Sequence, residues 1–101
     1  MSEDTLQKSC IAFFRNEFER YGKGVIIPVP NEIAVKRKDV VICLGCSDTI
    51  LVLNSRVIFC EFKVGYNNQQ QIQIEFQKNV ERLGFEYVVI KSLKSFKSLF
   101  Q

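Results

Sequence analysis

Asp48-Thr49-Ile50-Leu51-Val52-Leu53-Asn54-Ser55-Arg56-Val57-Ile58-Phe59-Cys60-Glu61-Phe62-Lys63 opens two apolar runs, Thr49 to Leu53 and Val57 to Val64, parted by Asn54-Ser55. Asn tolerates the left-handed backbone of a tight turn, so the two runs predict a β-hairpin. The second run is apolar on both faces, Val57 and Phe59 on one and Ile58, Cys60 and Phe62 on the other. A strand of that kind is covered on both sides and lies inside its sheet. In an antiparallel pair closed by an even turn, the numbers of opposed residues have a constant sum. A turn centred on Asn54-Ser55 therefore sets Asp48 opposite Glu61, their Cβ atoms about 4.5–5.5 Å apart. Alternation along the strand brings Lys63 to the same face. Opposed like charges are destabilising, more so among apolar neighbours, and call for compensation. A hard divalent cation supplies it, since Mg²⁺ takes one or two protein carboxylates and keeps several waters. With Lys63 added, such a site could bind metal and orient or activate a water beside a phosphate. A bulge in the hairpin would instead part the acids and leave Glu61 and Lys63 as a solvated strand-edge pair.

The flanking sequence is helical, extended, then helical again. Leu6, Cys10, Phe13, Phe14, Phe18 and Tyr21 recur at spacings of three and four, which make one helix face. Ser2 is its N-cap, and Gly22 and Gly24 supply the stop. Val25-Ile26-Ile27-Pro28-Val29-Pro30 is β-branched and closed by prolines, which predicts a strand near a sheet edge. Across 31–47, Lys36-Arg37-Lys38 reads as solvated, and Val40, Val41 and Ile42 fit a short strand or a helix end. Beyond the loop Gly65–Asn68, the residues Ile72, Phe76, Val80 and Leu83 mark a second amphipathic helix ended by Gly84, with Ile74 opposite the stripe and available to a subunit contact. Tyr87-Val88-Val89-Ile90 is a last strand. Leu93, Phe96 and Phe100 then suggest a short terminal helix with Lys94 and Lys97 outside. The order is helix, three strands, helix, strand, helix, an α/β chain with a mixed sheet flanked by helices.

A chain of 101 residues, 47% hydrophobic with nine Phe, suits one domain over residues 1–101 and excludes intrinsic disorder. No apolar run approaches the roughly 20 residues of a membrane span. Met1-Ser2-Glu3-Asp4 lacks the apolar segment of a secretory leader, so the expectation is a cytoplasmic protein without a membrane or organic cofactor as partner. The net charge of +3 permits a polyanionic partner without requiring one. The absence of histidine excludes His-based catalysis. Cys10, Cys43, Cys46 and Cys60 are expected to be free thiols. Cys43-x-x-Cys46 has zinc-knuckle spacing, and all four together would make a ligand set. Against this, Cys10 falls on the apolar helix face and Cys60 on a buried strand face, where Cys behaves as a small hydrophobe.

Gly45-Cys46-Ser47-Asp48, followed by a strand, a turn and Phe59-Cys60-Glu61-Phe62-Lys63, resembles the metal-binding signature of the PD-(D/E)xK nuclease superfamily. Gln73-Ile74-Glu75-Phe76-Gln77-Lys78-Asn79-Val80-Glu81-Arg82-Leu83-Gly84 is similar to the helix of its VRR-NUC (virus-type replication-repair nuclease) family, where a Gln opens the helix, an aromatic follows three positions on, and Leu-Gly precedes the last strand. Pro30-Asn31-Glu32 resembles that family's loop before its Gly-x-x-Asp element. The likeness runs from Glu3 to Ser92. Ser47 stands where relatives often have proline. Ile72 stands where they often have a polar residue, which leaves Gln70 and Gln71 as alternatives to Gln73.

The resemblance implies a restriction-endonuclease-like core (αβββαβ), with Asp48, Glu61 and the backbone carbonyl of Phe62 holding Mg²⁺ or Mn²⁺. It implies Lys63 as catalytic lysine, Gln73 as a polar residue brought to the site, and Glu3 as an acid completing the metal shell. An acid in a helix's first turn also favours the macrodipole and needs no further reason. Lys36, Arg37 and Lys38, with Lys91, Lys94 and Lys97, would contact phosphates, which sets affinity without reading sequence. Minimal relatives, mostly encoded by phages and bacteria, imply a homodimer cutting branched DNA such as Holliday junctions. Alternatives are a flap- or end-directed nuclease in a larger replication or repair complex, and a non-catalytic nucleic-acid-binding module on the same fold.

Overall fold

The computed structural model describes residues 1–29 and 45–101. The expectations resting on Pro30-Asn31-Glu32, on Lys36, Arg37 and Lys38, on Val40 to Ile42 and on Cys43 lie outside these residues. Helix α1 (Glu3–Glu17) starts where the Ser2 hydroxyl accepts the Thr5 N–H at 3.0 Å. A 3₁₀ turn, Glu19–Tyr21, closes on Gly22, whose φ of 68° is the left-handed conformation glycine adopts without strain. Then come β1 (Gly24–Pro28), β2 (Thr49–Leu53), β3 (Arg56–Phe62), α2 (Gln71–Arg82), β4 (Glu86–Ile90) and α3 (Leu93–Ser98).

The sheet order is β1-β2-β3-β4, antiparallel through the first three strands and parallel between β3 and β4. The mixed sheet, edge placement of β1 and interior placement of β3 match the sequence reading. So does the hairpin register, in which Leu53 faces Arg56 and Thr49 faces Cys60. No bulge interrupts it. The left-handed turn residue is Ser55, at φ 57°, rather than Asn54.

One sheet face carries the dry core. Ile26, Leu51, Ile58, Cys60, Phe62 and Ile90 pack there against Leu6, Cys10 and Phe14 of α1 and Phe96 of α3. Phe14, Phe62 and Phe96 are fully buried, each contributing roughly 1.5–3 kcal/mol relative to exposure. The opposite face lies under α2, where Phe76 meets Phe59 and Tyr87 edge-on.

Two assignments need correction. Tyr21 is 59% exposed, because the 3₁₀ turn carries it off the α1 stripe. Ile72 and Leu83 are 45% and 65% exposed, while Ile74 is partly buried. The inward stripe of α2 runs instead through Gln73, Phe76, Gln77 and Val80, because its first turn covers polar groups of the sheet.

Candidate active site

Asp48 stands just before β2, one step beyond the last ladder pair, Thr49 and Cys60. There the side chain takes over the ladder: Asp48 Oδ2 accepts the Phe62 N–H at 2.8 Å. Its carbonyl accepts the Val29 N–H, also at 2.8 Å. The approach to Asp48 is tightly specified. Ser47 is wholly buried and its hydroxyl donates to the Thr49 carbonyl at 3.1 Å, fixing the bend with a hydrogen bond where a proline would use its ring. Gly45 has φ 77°, and a Cβ there would collide with the Ile72 carbonyl at the head of α2. Glycine alone permits both the conformation and the approach.

Glu61 is 2% exposed. Gln73 Nε2 donates to its Oε1 at 2.9 Å, Tyr87 Oη donates to its Oε2 at 3.4 Å, and Lys63 Nζ lies 3.8 Å from Oε1. Gln73 also caps its own helix, its Oε1 accepting the Gln70 N–H at 2.8 Å. One amide thus couples the start of α2 to the Glu61 carboxyl. Gln73 reaches Glu61; Gln71 pairs with Glu75 on the exposed side.

Burial, then the charge of Asp48, pushes Glu61 up to about 8, with Lys63 and the Tyr87 hydroxyl pulling the other way. Asp48 is also raised, chiefly by burial and further by Glu3, against the Phe62 N–H and Lys63. The two carboxyls lie close enough for each to bear on the other's protonation. The sequence-derived site residues Asp48, Glu61, Lys63 and Gln73 are thus gathered at one end of the sheet. Glu3 is near enough for its charge to act on Asp48, yet its Oε2 accepts from Asn67 Nδ2 at 2.7 Å. Among the described residues, no three His, Cys, Asp or Glu side chains are grouped to hold an ion together.

The donor set is therefore a buried Glu61 and a half-buried Asp48, all hard oxygen, whose repulsion a divalent cation would relieve. That fits Mg²⁺ or Mn²⁺ retaining several waters. Zinc fits poorly. Burial pushes the Cys10 and Cys60 thiols up to about 11 and about 12, against the thiolate that zinc needs, and both serve the core.

Three contributors escaped the sequence reading. Tyr87 holds Glu61 and accepts from Gln69 Nε2 at 3.3 Å, Gln69 also donates to Gln77 Oε1 at 3.0 Å, and Asn67 holds Glu3. Tyr87 pairs with Phe59, which puts it on the Glu61 face, but only the β3–β4 register reveals this. The run Gln69-Gln70-Gln71 was the available signal for a polar shell.

The sequence matches no family model and no curated protein. A solved structure described as a VRR_NUC domain protein superposes on the whole chain with a TM-score of 0.76 at 21% identity, and 86% of that protein is covered. That likeness establishes the fold and agrees with the architecture expected from the motifs.

Proposed function

We propose that this chain is a metal-dependent endonuclease of the VRR-NUC family, within the PD-(D/E)xK superfamily, that hydrolyses phosphodiester bonds in DNA. The observation that carries the reading is the buried Glu61 beside the half-buried Asp48, with Lys63 and Gln73 converging on Glu61. Asp48 and Glu61, with the Phe62 carbonyl, would hold Mg²⁺ or Mn²⁺, and Glu3 would add its charge from Asn67's side of the site. When bound, the ion supplies Lewis-acid polarisation of a phosphate and a more acidic water. The chain does the rest. Gln73 and Tyr87 fix the Glu61 carboxyl in place, so that no reorganisation is required at the moment of reaction. Lys63, mostly buried beside Glu61, orients the attacking water and offsets the negative charge that grows on the phosphate.

The finer reading is a homodimeric, intracellular Holliday-junction resolvase. C₂ pairing of this domain would present two such sites to two strands of a junction. Lys36, Arg37 and Lys38 contribute phosphate contacts. Lys91 does so beside the site, since it follows Ile90, whose carbonyl accepts the Lys63 N–H at 3.0 Å. The test is a cleavage panel of linear, flap, splayed and four-way DNA with Mg²⁺, Mn²⁺ or EDTA, and Asp48→Ala as control. Paired, metal-dependent cuts in the four-way substrate that vanish in Asp48→Ala are expected. Cutting confined to flaps or ends selects that alternative, and DNA binding indifferent to both metal and Asp48→Ala selects a non-catalytic module.

A further inference from the structure

The turn that follows Lys63 holds a side chain the fold does not use. Tyr66 is 100% exposed, the extreme among the described large hydrophobics. Its neighbours Gly65, Asn67 and Asn68 are ordinary turn residues, and Gly65 takes φ 58°, but nothing in the turn requires an aromatic. The turn is tied down around that ring. Asn67 N–H donates to the Val64 carbonyl at 3.2 Å, Asn67 Nδ2 reaches Glu3 at 2.7 Å, and Lys63 N–H is fixed on Ile90. A bare ring on a tethered turn is a presented surface, anchored through Glu3 to the candidate site itself.

Tyr66 lies three positions after Lys63, so their Cα atoms are within about 11 Å. Bases along one strand are about 3.4 Å apart, which puts the ring within roughly three nucleotides of a phosphate held at Lys63. The phenol hydroxyl can donate to any phosphate oxygen, which does not distinguish one DNA form from another, so discrimination falls to the ring. The ring gains from a base face, and only an unpaired base or one at a break in the stack offers that face. We infer that Tyr66 stacks on an unpaired nucleobase beside the cleavage point and so favours forked or branched DNA over continuous duplex. The inference rests on the proposed DNA site for its location.

The test measures binding without cleavage. In EDTA, the full chain is titrated into a forked duplex carrying 2-aminopurine as the unpaired base at the fork, and into a continuous duplex of equal length. Wild-type protein is expected to quench the 2-aminopurine fluorescence. Tyr66→Ala should lose the quench and bind the fork roughly 5- to 150-fold more weakly, the loss of one base–aromatic stack. Its affinity for continuous duplex should be unchanged, which also reports that it is folded, and Tyr66→Trp should restore both fork signals. Equal fork binding by Tyr66→Ala and wild type, or equal losses on fork and duplex, would overturn the inference, as would absence of binding by wild type. If wild type cuts DNA while Tyr66→Ala keeps quench and affinity, the inference alone fails. If the ring stacks but no substrate is cut with Mg²⁺ or Mn²⁺, the nuclease reading alone fails.

Discussion

Glu61 concentrates the chemistry of the site, and its environment makes a signed prediction. Burial and the Asp48 charge raise it to about 8 from an ordinary 4.5, so in metal-free protein the folded state holds a proton that the unfolded state has released. Stability must then fall as pH rises from about 4.5 to about 8, because the folded state binds more protons across that window. Thermal melts in EDTA should show this slope. Glu61→Gln should flatten it and raise the melting temperature at pH 8, since an amide can still accept from Gln73 while the repulsion with Asp48 is gone. The same substitution should abolish cleavage, so a gain in stability accompanies a loss of activity. Lys63 makes the complementary case. It is 3.8 Å from Glu61 and is assigned to water and phosphate, so Lys63→Ala should lose cleavage while calorimetry still detects bound Mn²⁺. Cleavage at the wild-type rate by Lys63→Ala would remove that role.

Between elements, the decisive contact is the segment before β2 against the head of α2. Gly45→Ala forces a Cβ into the Ile72 carbonyl at a left-handed position. The backbone strain alone is about 1–3 kcal/mol, and relief of the collision moves Asp48, three positions after Gly45. A lower melting temperature together with weakened Mn²⁺ binding is expected; a lower melting temperature with unchanged metal affinity would show that the contact does not position Asp48. The hairpin was legible from sequence because a two-residue turn and a period of two leave one register, and that register brings Asp48 towards Glu61. The inward face of α2 was legible only in part: periodicity gave Phe76 and Val80 and the family resemblance gave Gln73, but neither anticipated Gln77 turning inward to Gln69. The role of Tyr87 was not legible. The parallel pairing of β3 with β4 crosses the whole of α2 and is pinned by long-range contacts, among them Arg56 donating to both carboxylate oxygens of Glu86 at 2.6 and 2.8 Å.

At the scale of the molecule, the sheet divides labour: one face is a dry core under α1 and α3, and the other, under α2, carries the acids and their polar holders. On the proposed resolvase reading, each protomer brings one Asp48–Glu61 pair, so paired cuts across a junction would require two protomers acting within one complex. Sedimentation at micromolar concentration should therefore give twice the protomer mass. The functional consequence is sharper. When wild-type and Asp48→Ala chains are refolded together in equal amounts, random pairing leaves about one quarter of dimers with two intact sites and about half with one. Paired cuts in a four-way junction should fall to about one quarter, and singly nicked junctions should accumulate in their place. Independent monomers would instead lose activity in proportion to the dilution, with no change in the ratio of nicked to resolved product. The mixing ratio thus reads the coupling of two sites directly, whatever the mass of the free protein.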